Sequence, residues 1–569
     1  DKLYGGDDYD TIHGGSGNDT VFGGNGRDLV YLNEGNDIFI DNSQIIGTGG
    51  DTVFGGGGDD IIRGGGDNDV FDGQWGNDNI VGGLGNDKLY GGAHFDSIHG
   101  GGGNDTVVGG NGRDLVYMND GNDLFIDDDQ EGGWGQDTVL GGSGNDTIRG
   151  GGDNDVFAGQ AGRDLIYGGL GDDKLYGGDD YDTIHGGSGN DTAVGGNGRD
   201  LVYLNDGNDT FFDNSQIIGT GGDTVFGGDG DDVIRGGGDN DVFDGESGND
   251  SIVGGLGNDA LYGGEYFDSL YGGGGNDTVA GGNGRDLVYM DAGNDLFIDN
   301  AQTGGWGQDT VFAGSGNDTI RGGGDNDVFD GQWGNDSIIG GEGNDKLYGG
   351  DDNDTIHGGS GNDTVVGGNG RDLVYMNDGN DLYVDNTQTG GPGRDMVFGG
   401  GGDDVIRGGG DDDVFHGQWG NDKIWAGYGN DIVYGGDHFD FIDASAGNDR
   451  VDGGHGRDTI ILGAGNDVYV DTAQAGVFGQ DTITGGTGAD RFVFQAVMSR
   501  DVIRDFQVGI DELQLTQSLW GGGLSAAQVV NRYASVTGNG VLLDFGEGQE
   551  ILLLGLNGTA GLAGDILLG

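Results

Sequence analysis

Aspartate carries the chemistry of this sequence. Of the 100 acidic residues, 92 are Asp and 8 are Glu. Asp closes a six-residue string, G-G-x-G-x-D, that recurs at a nine-residue step, as in GGSGND (14–19) and GGNGRD (23–28). The string suits a tight turn, because Gly reaches positive φ without steric cost and Asp bonds to nearby backbone. Turns stacked on one another would set carboxylates and loop carbonyls about 4.8 Å apart along an axis. Like charges in such a row repel. Flexible ligation by six or more oxygens describes calcium, whereas magnesium holds a tighter octahedron and keeps its waters. Zinc would call for Cys or His, and the chain has no Cys and only eight scattered His. The plainer reading is that these Asp are turn formers and nothing more.

The formal net charge is −77, and Gly supplies 143 of the 569 residues, with 33% hydrophobic. Taken alone, such numbers describe a disordered polyanion. The single Pro, Pro392, excludes a collagen helix, and the absence of Cys excludes a disulfide framework. The longest wholly apolar run is Ile551 to Leu554, too short to span a bilayer. Nucleic acid is not expected as a partner, since 23 Lys and Arg stand against 100 acids. Neutralising −77 takes about 38 divalent ions, the same order as the number of turns.

Repeats overturn the disorder reading. Residues 2–87 return at Lys88, Lys174, Ala260 and Lys346, and partially from Ile432, always 86 residues on. The sequence therefore divides into repeats 1–87, 88–173, 174–259, 260–345 and 346–431, a partial repeat 432–490, and a C-terminal region 491–569. Each full repeat holds eight nonapeptides and one 14-residue segment, IFIDNSQIIGTGGD in the first. A nonapeptide has three residues with an apolar centre, such as Leu3, Ile12 and Val21, followed by the turn string. The first half favours a short strand whose central side chain points inward. Strand and turn repeated without reversal predict an all-β, right-handed parallel β-roll with two nonapeptides per coil. Nine half-coils per repeat is an odd number, so equivalent residues should fall on opposite sheets in consecutive repeats. About 25 coils at the strand spacing would make a rod of about 120 Å.

The nonapeptide resembles the haemolysin-type calcium-binding repeat of repeats-in-toxin (RTX) proteins, G-G-x-G-x-D-x-U-x, over residues 2 to about 490. The resemblance implies a parallel β-roll that holds calcium ions, in the order of tens, between successive turns, with Asp and loop carbonyls as ligands. Carried over position by position, the ligand Asp are Asp19, Asp28, Asp60 and Asp87 in the first repeat, then Asp105, Asp114, Asp146 and Asp173. The third and fourth repeats supply Asp191, Asp200, Asp232, Asp259, Asp277, Asp286, Asp318 and Asp345. The remainder supply Asp363, Asp372, Asp404, Asp431, Asp449, Asp458 and Asp490. Turns GGDDYD (5–10), LNEGND (32–37), GGGDND (64–69) and GQWGND (73–78) depart from the pattern, and weaker, distorted or empty sites are expected there.

The 14-residue segments carry a recurring Asp and Gln: Asp41/Gln44, Asp127/Gln130, Asp213/Gln216, Asp299/Gln302, Asp385/Gln388 and Asp471/Gln474. Loop closure and partner binding are both open to them. Outward positions such as Phe22, Leu29, Tyr31 and Phe54 are apolar, which suits either lateral self-association or cover by long loops. Trp75, Trp134, Trp306, Trp333 and Trp419 fall in turns or insertions, where they would stack on sugar rings or stand singly exposed. His13, His99, His185 and His357 share one strand position that becomes Tyr271 and Asp443 elsewhere, so they make poor catalysts. No H-E-x-x-H or G-x-S-x-G string occurs, and no enzyme is expected in this chain.

The C-terminal region alternates and loses its Gly. Residues 524–533 read as a short helix and 541–556 as a hairpin turning near Gly546 to Gly548. This stretch resembles the cap of repeats-in-toxin proteins, with D-x-I-x-D-F-x-x-G-x-D-x-L-x-L at 501–515. The resemblance implies that 562–569 is an uncleaved signal for type I secretion from a Gram-negative bacterium. Asp1 already stands as the last Asp of a turn, so the sequence reads as a piece of a longer protein. Two functions follow. One is a secreted structural rod of a surface layer, matrix, filament or adhesion system, folding on calcium outside the cell, with self-association or polysaccharide contact. The other is a folding and secretion module at the end of an exoenzyme (protease, lipase or alginate-modifying enzyme) or a toxin. An ice- or glycan-binding face is a third reading, and the interrupted Thr positions (Thr11, Thr20, Thr52) argue against the ice version.

Overall fold

Thr, Val, Ile, Phe and Tyr crowd the three residues ahead of each turn, and such side chains favour extended backbone. In the computed structural model the protein is an all-β parallel solenoid. It describes every residue except 42–48, 128–134, 214–220, 300–306, 386–392, 473–478 and 496–499. Pairing advances by 18 residues per coil, as in Lys2↔Thr20 and Thr11↔Leu29, so two nonapeptides do make one coil. Across each 14-residue segment the step becomes 23, as in Leu29↔Thr52 and Ile38↔Ile61, and pairing resumes in register beyond it.

The strands are longer than three residues. Lys2–Asp7, Thr20–Asn25 and Leu29–Glu34 each run six, through the Gly pair and one residue beyond. Pairing skips the first Gly and resumes at the second, Gly6↔Gly24. Gly24 sits at φ +106°, and a Cβ there would collide with the main-chain oxygen of Gly6. Positive φ and close approach together make Gly the residue for this position. Strands of three remain beside insertions and degenerate turns, as in Ile38–Ile40 and Ile61–Arg63.

Each half-coil sends one apolar side chain inward. Val21, Val30, Phe39, Val53, Ile62, Phe71 and Ile80 are fully buried. The second residue of the 14-residue segment, a Phe in the first three repeats, packs edge-on against a Phe of the other sheet: Phe39 on Phe71, Phe125 on Phe157 and Phe211 on Phe243, each at 6.0 Å between ring centres. Outward aromatic residues stack along the sheet instead. His13, Tyr31 and Phe54 stack at 4.9 and 5.3 Å, and His357, Tyr375, Phe398, His416 and Tyr434 at 4.6 to 5.0 Å. His13, His99, His185, His357 and His416 are thus partners in ring stacks, and burial lowers the pKa of His99, His185 and His416.

The chain divides into two compact units, Asp1–Leu287 and Val288–Gly569. In the first, Lys2 opens on one sheet, Lys88 on the other and Lys174 on the first again, as an odd number of half-coils requires. In the second, Lys346 and Ile432 likewise fall on opposite sheets. The second unit ends in a β-rich cap. Its helix is Ala526–Tyr533, and its antiparallel hairpin joins Gly540–Gly546 to Gln549–Leu554. The second hairpin strand pairs in parallel with Arg500–Ile503, and Ile566–Leu568 pairs with Glu512–Leu515. The terminal residues therefore extend the solenoid's sheets, with Leu562 and Ile566 buried. Asp505 closes the last consensus turn, accepting the N–H groups of Gly485 and Gly486 at 2.8 Å each.

Candidate metal centres

The last Asp of each turn lies at the point where one half-coil passes into the next. All 23 Asp expected as ligands are buried, none more than 3% exposed. Their environment repeats. The main-chain N–H of Asp60 donates to Oδ1 of Asp78 at 2.7 Å, that of Asp87 to Asp105 at 2.8 Å, and that of Asp173 to Asp191 at 2.8 Å. The main-chain oxygen accepts from the strand that opens 19 residues on, as Asp60 does from Asn79 at 2.8 Å. One carboxylate oxygen is thereby satisfied. The other is not: Oδ2 of Asp19, Asp60, Asp87, Asp105, Asp146, Asp173 and Asp191 is buried with no hydrogen-bond partner.

Each unsatisfied Oδ2 faces a cradle formed by the first Gly of its own turn. The position a Cβ would occupy on Gly141 lies 2.5 Å from Oδ2 of Asp146 and 2.6 Å from the main-chain oxygen of Gly159, one coil on. On Gly254 the same point lies 2.5 Å from Oδ2 of Asp259 and 2.7 Å from the oxygen of Gly272. A carboxylate oxygen and a carbonyl oxygen thus converge beside these Gly, whereas Ala313 and Ala444 hold the same place in the turns of Asp318 and Asp449. Among the described residues no three carboxylate or imidazole side chains gather into a metal cluster. A cation here would take mixed donors, carboxylate and main-chain oxygen, which is the ligand set calcium accepts.

Burial gives the electrostatics their sign. Loss of solvent pushes the Asp60 carboxyl up to about 7 and those of Asp69 and Asp96 to about 8, against 3.8 ordinarily. The main-chain N–H that each accepts works the other way, and neighbouring carboxylates along the row add to the rise. An unpaired buried charge is costly, so each such carboxylate either takes a proton or faces a cation.

The degenerate turns stand in the same rows. Asp37, Asp69 and Asp78 are 1 to 2% exposed, and their N–H groups donate to Oδ1 of Asp60, Asp87 and Asp96 at 2.8 Å each. Asp10 donates to Asp28 at 2.9 Å. These Asp, and Asp51, Asp137 and Asp223 at the ends of the insertions, lack the full Gly string of a consensus turn. Nine-residue phase, not Gly content, is the signal that finds them. Gly can be replaced at the second position because Asn supplies its own bond: Asn33 holds φ +78° while its side-chain N–H donates to the oxygen of Tyr31 at 2.9 Å. A second row explains the Asn before many of the Asp. The N–H of Asp59 donates to Oδ1 of Asn36 at 3.2 Å, and that of Asn77 to Oδ1 of Asp59 at 2.9 Å.

The family model for the RTX calcium-binding nonapeptide repeat matches from residue 1 to residue 494, with breaks at 40–44, 126–130, 213–216, 289–302, 384–388 and 470–474. The chain belongs to that family. No curated relative matches it. The RTX repeats are calcium-binding, so the Asp rows, the orphaned Oδ2 atoms and the Gly cradles describe a donor set that suits the family's ion. The RTX breaks at 40–44, 126–130, 213–216, 384–388 and 470–474 fall at the 14-residue insertions, whose Gln44, Gln130, Gln216, Gln302, Gln388 and Gln474 lie outside the described residues, as do Trp134 and Trp306. Trp75, Trp333 and Trp419 are exposed. Among the described residues no helix is long and apolar enough to cross a membrane.

Proposed function

We propose that this RTX chain is a secreted, non-catalytic structural element, a calcium-folded rod of a surface layer, matrix or adhesion system. The observation that carries the reading is the run of buried aspartates, such as Asp60, Asp87 and Asp191, whose Oδ2 atoms have no hydrogen-bond partner. Such a chain has no stable folded form until a cation arrives. Inside a cell, where free calcium is scarce, the acidic chain would stay unfolded and fit for export through a narrow channel. Outside, calcium near 10⁻⁴–10⁻³ M lies in the range of extracellular modules, and ion binding becomes folding free energy.

The Asp carboxyls are engaged by backbone, as Asp78 is by the Asp60 N–H, and His185 and His416 are stacked between aromatic rings. Fractionation of cells expressing the chain with a type I exporter tests the reading. The expected result is protein at the cell exterior that chelation of calcium unfolds and releases. Folded protein retained in the cytoplasm would overturn it.

A further inference from the structure

Trp333 stands apart from the buried Asp rows. It ends the strand Val328–Trp333, is 60% exposed, and lines a cavity of about 430 Å³ on the outer face of its sheet. Three neighbouring strands build this cavity. Pairing sets Asp330 beside Tyr348 and Trp333 beside Asp351, and the next strand sets Val366 beside Tyr348 and Asn369 beside Asp351. The third residues of the strands thus make one outward column and the sixth residues another. Two aromatic rings, Trp333 and Tyr348, meet the polar side chains of Asp330, Gln332, Asp351 and Asn369. The polar groups are held in place. The main-chain N–H of Gln332 bonds to the Asp330 carboxyl, and the Asn369 side-chain N–H donates to Oδ1 of Asp351 at 2.6 Å.

The volume lies within the ~300–1,000 Å³ of small-molecule sites, and aromatic walls with a few placed polar groups are their usual lining. An indole face beside carboxylates and an amide fits a molecule with one apolar face and an edge of hydroxyls. A pyranose is such a molecule. Its C–H face lies on the indole, while its hydroxyls donate to carboxylate oxygens and accept from an amide N–H. An anionic sugar would meet Asp330, Asp351 and a chain of net charge −77. A quaternary ammonium calls for a cage of aromatic rings, and two rings line this cavity.

The other repeats hold incomplete copies. In the first, Asp72, Trp75, Tyr90 and Asn111 recur, but Ala93 stands for Asp351. Tyr176, Asp179 and Asn197 recur with Ala158 and Ala161 in place of Asp330 and Trp333. Asp244, Tyr262 and Asn283 recur with Ser247 and Glu265 in place of Trp333 and Asp351. Trp419, Tyr434 and Asp437 recur with His416 and His455 in place of Asp330 and Asn369.

We propose that the cavity at Trp333 is a binding site for a pyranose unit of a neutral saccharide, which stacks on Trp333 and Tyr348 and hydrogen-bonds to Asp330, Asp351 and Asn369. This gives the matrix or adhesion reading a partner, and it rests on that reading for the calcium-folded roll alone. The test is calorimetric titration of the full chain in calcium with soluble glucan, mannan and galactan, with polygalacturonate and glycine betaine as controls. At least one neutral polymer should bind. Trp333→Ala should weaken that binding about tenfold or more, as loss of a central aromatic anchor does, while Trp333→Phe keeps most of it. Trp75→Ala should leave it unchanged, because Ala93 already breaks that copy. Circular dichroism establishes that each variant is folded. Should Trp333→Ala fail to fold, Asp351→Ala decides, since Ala holds that place in the first repeat. No neutral polymer bound by the folded chain, binding that Trp333→Ala leaves intact, or binding of polygalacturonate or betaine alone would overturn this proposal and leave the rod reading standing. A chain that stays unfolded in calcium would overturn the rod reading and this proposal with it.

Discussion

At the scale of a residue, Gly141 and Asp146 state what one turn requires. At Gly141 the carboxylate and the Gly159 carbonyl stand 2.5 and 2.6 Å from where a Cβ would lie, so an added methyl would have to displace one of them. Gly141→Ala should therefore block the cradle and cost about 1–3 kcal/mol by overpacking. The check is a calcium titration followed by chemical denaturation, in which unchanged stability and unchanged calcium uptake would contradict the cradle. Protons compete for the same oxygens. Folded-state carboxyls stand at about 7 for Asp60 and about 9 for Asp137 and Asp223, raised by burial above the 3.8 of an ordinary Asp. A carboxyl whose folded pKa is raised favours the fold below its unfolded pKa and loses that contribution as pH rises through the folded value. Calcium-free protein should thus gain β structure on acidification from about pH 9 to about pH 4, while apparent calcium affinity falls over the same window. Circular dichroism across that range checks both, and further unfolding of the metal-free chain on acidification would contradict the sign.

At the scale of the element, each coil leans on its neighbours through the Asp rows. Asp191 accepts from the N–H of Asp173 and donates its own N–H to Asp209 at 2.6 Å. Asp191→Ala should expose the coils around residues 173 and 209 to hydrogen exchange and leave coils such as those near residues 60 and 105 protected, because repeat stability sums over near neighbours. Loss of protection throughout the chain would argue against that. Much at this scale was legible in the sequence. The nine-residue phase sets the 18-residue register and the inward position of Val21 or Ile62, and the odd count of half-coils sets the alternation of Lys2, Lys88 and Lys174 between sheets. Other features were not legible. The three-residue strand was too short an expectation, because pairing at Gly6↔Gly24 depends on backbone approach that composition does not display. The degenerate turns keep the phase of the rows: Asp78 follows Asp60 in one row, and Asp69 stands between Asp51 and Asp87 in the other. The docking of Ile566–Leu568 on Glu512–Leu515 joins segments some fifty residues apart, and no local pattern announces it.

At the scale of the whole molecule, the chain's charge and its fold are one problem. A formal charge of −77 opposes compaction, and burial of the Asp rows adds desolvation to repulsion. The favourable side is thin in side-chain terms, with about one inward apolar residue per half-coil and stacked aromatic rings outside. On the proposed reading, cations at the turns would offset this largest unfavourable element and couple metal binding to folding. The most direct measurement is far-ultraviolet circular dichroism of the full chain during a calcium titration, with magnesium as control. The account predicts a disordered spectrum without calcium at neutral pH, a cooperative transition to β structure as calcium approaches millimolar levels, and no such transition with magnesium at the same concentration. Stable β structure at neutral pH without calcium would contradict it.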